Sequence, residues 1–395
     1  MAASPWAIPP DWPAPEPAAR ELGERLVEML RGEIAEAGGS IPFSRFMERV
    51  LYAPGLGYYS AGSRKFGAAG DFVTAPELGP LFALGLAGSC AAALQALGGG
   101  DLLELGAGSG ALAAGLLNEL ARRDALPGRY LILEPSAELR QRQRQRLAAD
   151  CPQFAARVEW LDAPPRGLRG VLLANEVVDA LPVELFRWRS AGAERGRVGW
   201  EAGGFVLDYQ PDDSPAFAGP LAALAAECGL AEGYRSEFRP QLPAWLAGLA
   251  EGFEGAMLFI DYGHPRREYY HPQRAQGTLM CHYRHRAHAD PLCLPGLQDI
   301  TAYVDFTALA EAGAAAGLEV QGFCTQAHLL LDNGIEQRLA VPADPADPAY
   351  LAEVQQLKTL LLPGEMGERF KCLLLGRGLP GGLPGFRLQD LRSRL

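Results

Sequence analysis

The stretch "LLELGAGSGAL", residues 102–112, constrains this chain more than any other. An apolar run leads into three glycines at alternate positions, Gly106, Gly108 and Gly110, and then into a helix-forming run that begins at Ala111. Glycines so placed let the backbone turn tightly and approach a ligand, and the helix that follows offers N–H groups with no intrahelical acceptor. The question is which nucleotide cofactor such a turn would hold.

The surrounding pattern sets the fold class. From residue 101 onward, short apolar runs alternate with helical stretches, the mark of an α/β chain with a parallel sheet covered by helices. Strands are expected at 101–105, 130–134, 158–161 and 170–174, with helices at 111–123 and 137–149. Residues 183–209 look instead like a small antiparallel meander that interrupts the series. A helical insertion to about residue 252 follows, and a fifth strand starts at 256. The segment 264–299, rich in His, Arg, Tyr and Pro, is expected to lie over the strand ends. A helix at 306–316, a strand at 318–323, more helix and a strand at 370–375 complete the chain.

Ahead of the sheet, helices are expected at 21–37 and 44–51. The glycines and aromatics of 55–80 break all periodicity, and so long a loop in a compact domain is usually functional or disordered. Four segments follow: 1–65, a proline-rich leader and N-terminal helical segment; 66–200, the core with the cofactor motifs; 201–255, an inserted substrate or lid region; and 256–395, the rest of the sheet with the His-rich loop.

Bulk properties narrow the partners. The chain has 395 residues and a formal charge of −11. That charge disfavours a nucleic-acid backbone, which needs a basic field, and suits a cationic substrate. Residues 1–20 carry neither a basic n-region nor an apolar h-region, so a cytoplasmic protein is expected. The greasiest stretch, 81–94, falls short of a membrane span and reads as a buried helix. Seven cysteines without a Cys-x-x-Cys spacing point to reduced thiols.

With Ala111 the glycine turn also satisfies the loose dinucleotide pattern G-x-G-x-x-A, so a nicotinamide or flavin enzyme stays open. A P-loop is excluded there, because G-x-x-x-x-G-K-[ST] is missing. Glu104, just before the turn, would sit poorly beside a pyrophosphate but well beside the ammonium of a methionine moiety, which favours S-adenosylmethionine. Glu134, at the end of the second strand, can accept both ribose hydroxyls of either cofactor. Asp162 is a candidate for the adenine amino group, or else a solvated acid at a strand end.

"LLANEVVDALPVELF" places Asn175 and Glu176 at the carboxyl end of the fourth strand, where open α/β sheets bind ligands, with Asp179 one turn later. Glu176 and Asp179 could clasp a cation; the alternative is that Asn175 or Asp179 caps a following helix. "HYRHRAH" spaces His282, His285 and His288 by three, yet lacks the second ligand pair of a metal site, so no metal is expected. His285 or His288 suits the role of acid, base or anchor better. "RQRQRQR", Arg140 to Arg146, fans its arginines around a helix and reads as a solvated face.

Taken together, "FGAAGDFVTAPELGPLF", "ELGAGSGAL", "LILEPSAELRQRQ", "LLANEVVDALPVELF", "FIDYG", "PGLQDITAYVDFTALAEAG", "GFCTQAHLL" and "MGERFKCLLLGRG" resemble the MidA family of class I methyltransferases over roughly residues 45–378. The resemblance implies a Rossmann-like seven-stranded sheet with its last strand antiparallel, and S-adenosyl-L-methionine as cofactor. It also implies a protein substrate with a target arginine, in a role tied to assembly of respiratory complex I. It carries the cofactor role onto Gly106, Gly108, Gly110 and Glu134, with Asp71, Phe72 and Thr74 as neighbours. The turn reads Ala107-Gly108-Ser109 where Pro-Gly-Arg is expected of many relatives. An arginine acceptor needs carboxylates that orient its delocalised cation. Glu176 and Asp179 are the first choice, Asp261 a third, and His285 is a candidate to accept the proton or gate the site.

Overall fold

The computed structural model describes residues 4–60, 74–338 and 346–395. The chain forms two compact units, each built from three separate stretches. One comprises Val73–Val178, Leu242–Pro265 and Phe306–Leu395; the other comprises Met1–Phe72, Asp179–Gln241 and Arg266–Asp305.

The first unit is an α/β sheet. Its strands are β1 (Asp101–Leu105), β2 (Tyr130–Leu133), β3 (Val158–Leu161), β4 (Arg169–Asn175), β5 (Glu254–His264), β6 (Glu319–Thr325) and β7 (Phe370–Arg377). They run in the order β6-β7-β5-β4-β1-β2-β3. β1 to β5 pair in parallel, while β7 lies between β5 and β6 and runs antiparallel to both. The expected sheet with an antiparallel last strand is therefore present. Continuous apolar runs such as "VLLA" in β4 fit strands buried on both faces, as a parallel sheet requires.

Helices cover this sheet. α1 (Leu81–Ala96) is apolar on nearly every side and is buried accordingly. α2 (Ala111–Arg122) packs against it so closely that a Cβ at Gly115 would stand 2.5 Å from that of Ala83. α3 (Ala137–Asp150) starts at Ser136, whose hydroxyl accepts the Leu139 N–H at 3.3 Å, and buries Leu139, Gln143 and Leu147. This i, i+4, i+8 stripe brings a glutamine into the protein interior.

The chain winds outward from β1 through β2 to β3, then restarts on the other side at β4 and β5. The strand order thus reverses between β1 and β4, and ligands of open α/β sheets bind beyond the carboxyl ends of strands at such a point. Leu105 pairs with Ala174 in register, so the glycine turn after β1 and the Asn175-Glu176 step after β4 are neighbours.

The second unit holds two antiparallel sheets. In the larger, Gly192–Glu201 pairs with Ser40–Pro42, Glu184–Arg189 and Gly204–Pro211, and Glu184–Arg189 pairs with Arg235–Phe238. This contains the expected meander, and it adds a strand within the stretch expected to be helical. The His-rich segment forms a second sheet from Met280–Tyr283, Arg286–His288 and Asp299–Thr301. The proline-rich leader is not a loose tail: Trp6, Ile8 and Trp12 pack against Tyr283, Cys293 and Leu294. No helix among the described residues is long and apolar enough to cross a membrane.

Candidate active site

Gly106, Gly108 and Gly110 have φ of 60°, 52° and 84°. All three lie in the left-handed region, where a Cβ crowds the following carbonyl, so the turn needs glycine for its shape. The Gly106 N–H donates to Leu133 O at 3.1 Å and the Gly110 N–H to Ala107 O at 2.7 Å. Ser109 hydrogen-bonds the carboxylate of Glu77, from the short helix Ala75–Leu78. Arg146 of α3 stands 3.9 Å from the same carboxylate, so an arginine reaches this neighbourhood from outside the turn.

Glu134 lies just past β2 and is 4% exposed. Its Oε1 accepts the Ser136 N–H at 2.9 Å and its Oε2 the Gln143 Nε2 at 3.3 Å.

Gln143, which the sequence hides inside "RQRQRQR", is fully buried. Its Nε2 also donates to Gly108 O at 3.0 Å, and its Oε1 accepts Trp160 Nε1 at 2.8 Å. One amide therefore ties the glycine turn to Glu134 and to β3. Arg140 likewise departs from the expected solvated face. It donates to Glu134 O at 2.5 Å, Leu161 O at 2.7 Å and the Asp162 carboxylate at 2.6 Å. Asp162 is 92% exposed and pairs with Arg140.

Glu104 is 3% exposed and accepts the Tyr130 hydroxyl at 2.7 Å. Burial raises its pKa to about 7; the Tyr130 bond opposes the rise and the charge of Glu134 adds to it. A nearby ammonium would restore its charge, which fits the role expected from the sequence.

At the end of β4, Asn175 Nδ2 donates to Glu176 Oε1 at 3.2 Å, whereas the buried Asn175 Oδ1 has no hydrogen-bond partner. Such an acceptor is costly unless a ligand donor completes it. Glu176 has φ of 53° and its N–H donates to Ile260 O at 2.9 Å. A non-glycine residue in this conformation stores strain, and such residues cluster at functional sites. No helix follows β4, so neither Asn175 nor Asp179 caps one.

Asp261, expected to be a third acid for the acceptor, is 1% exposed, and its two oxygens accept the N–H groups of Val178 and Tyr262, each at 3.0 Å. Those bonds give it a positioning role for the segment after β4. Asp179 belongs to the second unit and Glu176 to the first. Thr74 is 9% exposed and precedes the Ala75–Leu78 helix, while Asp71 and Phe72 lie outside the described residues. His285 is exposed at the tip of a two-residue hairpin turn, flanked by Tyr283 and Arg286 in register. Arg284 and His285 both have positive φ, 46° and 63°, a geometry usually given to Asn-Gly. His282 and His288 lie on the strands of that hairpin rather than on a helix.

The left-handed glycines, the buried Glu134, the Glu104 carboxylate and the unsatisfied Asn175 oxygen form a donor and acceptor set that fits S-adenosyl-L-methionine. Comparisons with known proteins agree. A family model of S-adenosyl-L-methionine-dependent methyltransferases matches residues 85–324. A crystal structure from Burkholderia thailandensis with bound S-adenosyl-homocysteine is 48% identical, with a TM-score of 0.93, over 98% of this chain and 100% of that one. Protein arginine methyltransferase NDUFAF7 of Mus musculus is 30% identical over 93% of this chain and 88% of its own length. Its Danio rerio counterpart is 27% identical over 91% and 89%. This chain therefore belongs to the MidA-type family of S-adenosyl-L-methionine-dependent methyltransferases.

Proposed function

We propose that the methyl acceptor is an arginine side chain of a protein. The relatives named as protein arginine methyltransferases support this over nearly the whole chain. The observation that carries it is Glu176, a carboxylate held in a strained conformation where the strand order reverses. The cofactor, when bound, supplies an electrophilic methyl group on a sulfonium. The protein's part is to position a guanidinium nitrogen for in-line attack and keep charge on the other nitrogens. A carboxylate paired with those nitrogens does both, and transfer then requires the reacting nitrogen to lose a proton. The formal charge of −11 favours a basic acceptor segment. A subunit of respiratory complex I is the acceptor we propose, and the cytoplasm the compartment.

The test uses tritiated S-adenosyl-L-methionine, the purified enzyme and a bacterial lysate, followed by acid hydrolysis of the labelled protein. Label recovered as methylarginine supports the proposal. Label on another residue or only in a small molecule overturns it.

A further inference from the structure

The second unit gathers an aromatic and acidic group of residues from three of its segments. Tyr52 and Tyr59 stack with ring centroids 5.4 Å apart and planes 23° apart, and Tyr58 meets Tyr59 edge-on at 5.0 Å. The Tyr59 hydroxyl donates to Asp299 Oδ1 at 2.8 Å, and the Tyr52 hydroxyl to Ala180 O, next to Asp179, at 2.8 Å. Asp299 and Asp179 are 2% and 4% exposed. The Ala302 N–H donates to Asp179 O at 3.1 Å, which joins the segments that carry the two acids. The Tyr59 phenol is pushed well above its usual range, first by burial, then by Asp299, Tyr52 and Asp179. Both acids therefore act on the same ring.

Thr301 supplies an independent sign of a ligand. It lies two residues from Asp299 on one strand, so both side chains share a face. It is 2% exposed, and its Oγ1 has no hydrogen-bond partner. The nearby guanidinium of Arg239 is engaged with the main-chain carbonyls of Asp179, Leu181, Ala302 and Tyr303 at 2.9, 3.3, 2.8 and 2.8 Å.

Two carboxylates, a tyrosine face and a spare hydroxyl suit a planar cation. A guanidinium donates in its plane to carboxylates and hydroxyls while its face stacks on an aromatic ring; an ammonium matches the charge but not the plane. We infer that Tyr59, Asp179, Asp299 and Thr301 form a guanidinium receptor that selects arginine, with Tyr52 backing the Tyr59 ring. This rests on the arginine reading above.

The test is equilibrium binding of acetyl-Gly-Arg-Gly-amide to the full-length enzyme saturated with S-adenosyl-homocysteine, beside the same peptide with citrulline or lysine. The arginine peptide should bind about tenfold or more tightly than either, since citrulline lacks the charge and lysine the plane. Asp299→Asn and Thr301→Val should each weaken it, Asp299→Asn by about tenfold, with affinity for S-adenosyl-homocysteine unchanged as proof of folding. Tyr59→Phe keeps the ring and should lose less than Tyr59→Leu. Wild-type binding of arginine with unaltered binding in Asp299→Asn and Tyr59→Leu overturns the receptor and leaves the arginine reading intact. Equal binding of all three peptides by the wild type overturns both.

Discussion

The side-chain amide of Gln143 donates to the main-chain oxygen of Gly108 at 3.0 Å, so a helix residue fixes a turn 35 positions earlier in the chain. The same amide reaches Glu134. The glycine turn and the buried carboxylate of Glu134 are thereby held as one piece.

Gln143→Leu keeps the side chain's bulk and removes its hydrogen bonds. Each buried polar group left behind costs about 1–3 kcal/mol. Affinity for S-adenosyl-homocysteine, measured by calorimetry, should fall by about tenfold or more. Gln143→Glu should be worse, because it sets a second carboxylate beside Glu134. Wild-type affinity in Gln143→Leu would remove this residue from the cofactor site.

Gly108→Val should abolish cofactor binding, because a β-branched side chain resists the observed φ of 52°. Gly108→Ala should be milder, with strain of about 1–2 kcal/mol. Calorimetry on both variants checks the order, and normal binding in Gly108→Val would place the cofactor turn elsewhere.

Glu104 predicts a pH signature in the cofactor-free protein. Its pKa is raised from 4.5 to about 7, chiefly by burial. The folded state therefore holds the proton more tightly, so the stability this group contributes is complete below about pH 4.5 and is lost as pH rises through about 7. The loss is of order 3 kcal/mol at most. Urea unfolding at pH 5 and pH 8 should show the fall in the wild type and a flatter profile in Glu104→Gln. The same slope in both proteins would assign it to other groups.

Glu176 can be split into charge and conformation. Glu176→Gln should lower single-turnover methyl transfer while cofactor affinity and melting temperature stay close to wild type. Glu176→Gly relieves the strain of φ 53° and should stabilise the fold by up to about 1 kcal/mol while also losing activity. A variant that is more stable yet inactive would be the mark of strain kept for function. Full activity in Glu176→Gln would remove the carboxylate from the mechanism.

The sheet was legible in the sequence because parallel strands buried on both faces read as continuous apolar runs. The expected strands at 101–105 and 170–174 match β1 and the body of β4. The glycine turn was legible for a similar reason, since residues that need positive φ are glycine there. Three features were not. Arg235–Phe238 and the strands of the His-rich sheet are too short for alternation to show, and Arg235–Phe238 pairs with Glu184–Arg189, which is distant in sequence. Gln143 is a polar residue amid arginines, and only the acceptors presented by Gly108 and Glu134 explain its burial. Arg140 belongs to the same helix, but its guanidinium bends back to the strand ends.

The most direct test of the cofactor site is calorimetric titration of the wild type and Glu134→Ala with S-adenosyl-homocysteine, and of the wild type with NADH. The wild type should bind S-adenosyl-homocysteine and show no comparable affinity for NADH. Glu134→Ala should lose at least about tenfold, as expected when a charged hydrogen-bond acceptor for two hydroxyls is removed. Comparable binding of NADH, or undiminished binding of S-adenosyl-homocysteine by Glu134→Ala, would contradict the placement of the cofactor beyond β1, β2 and β4.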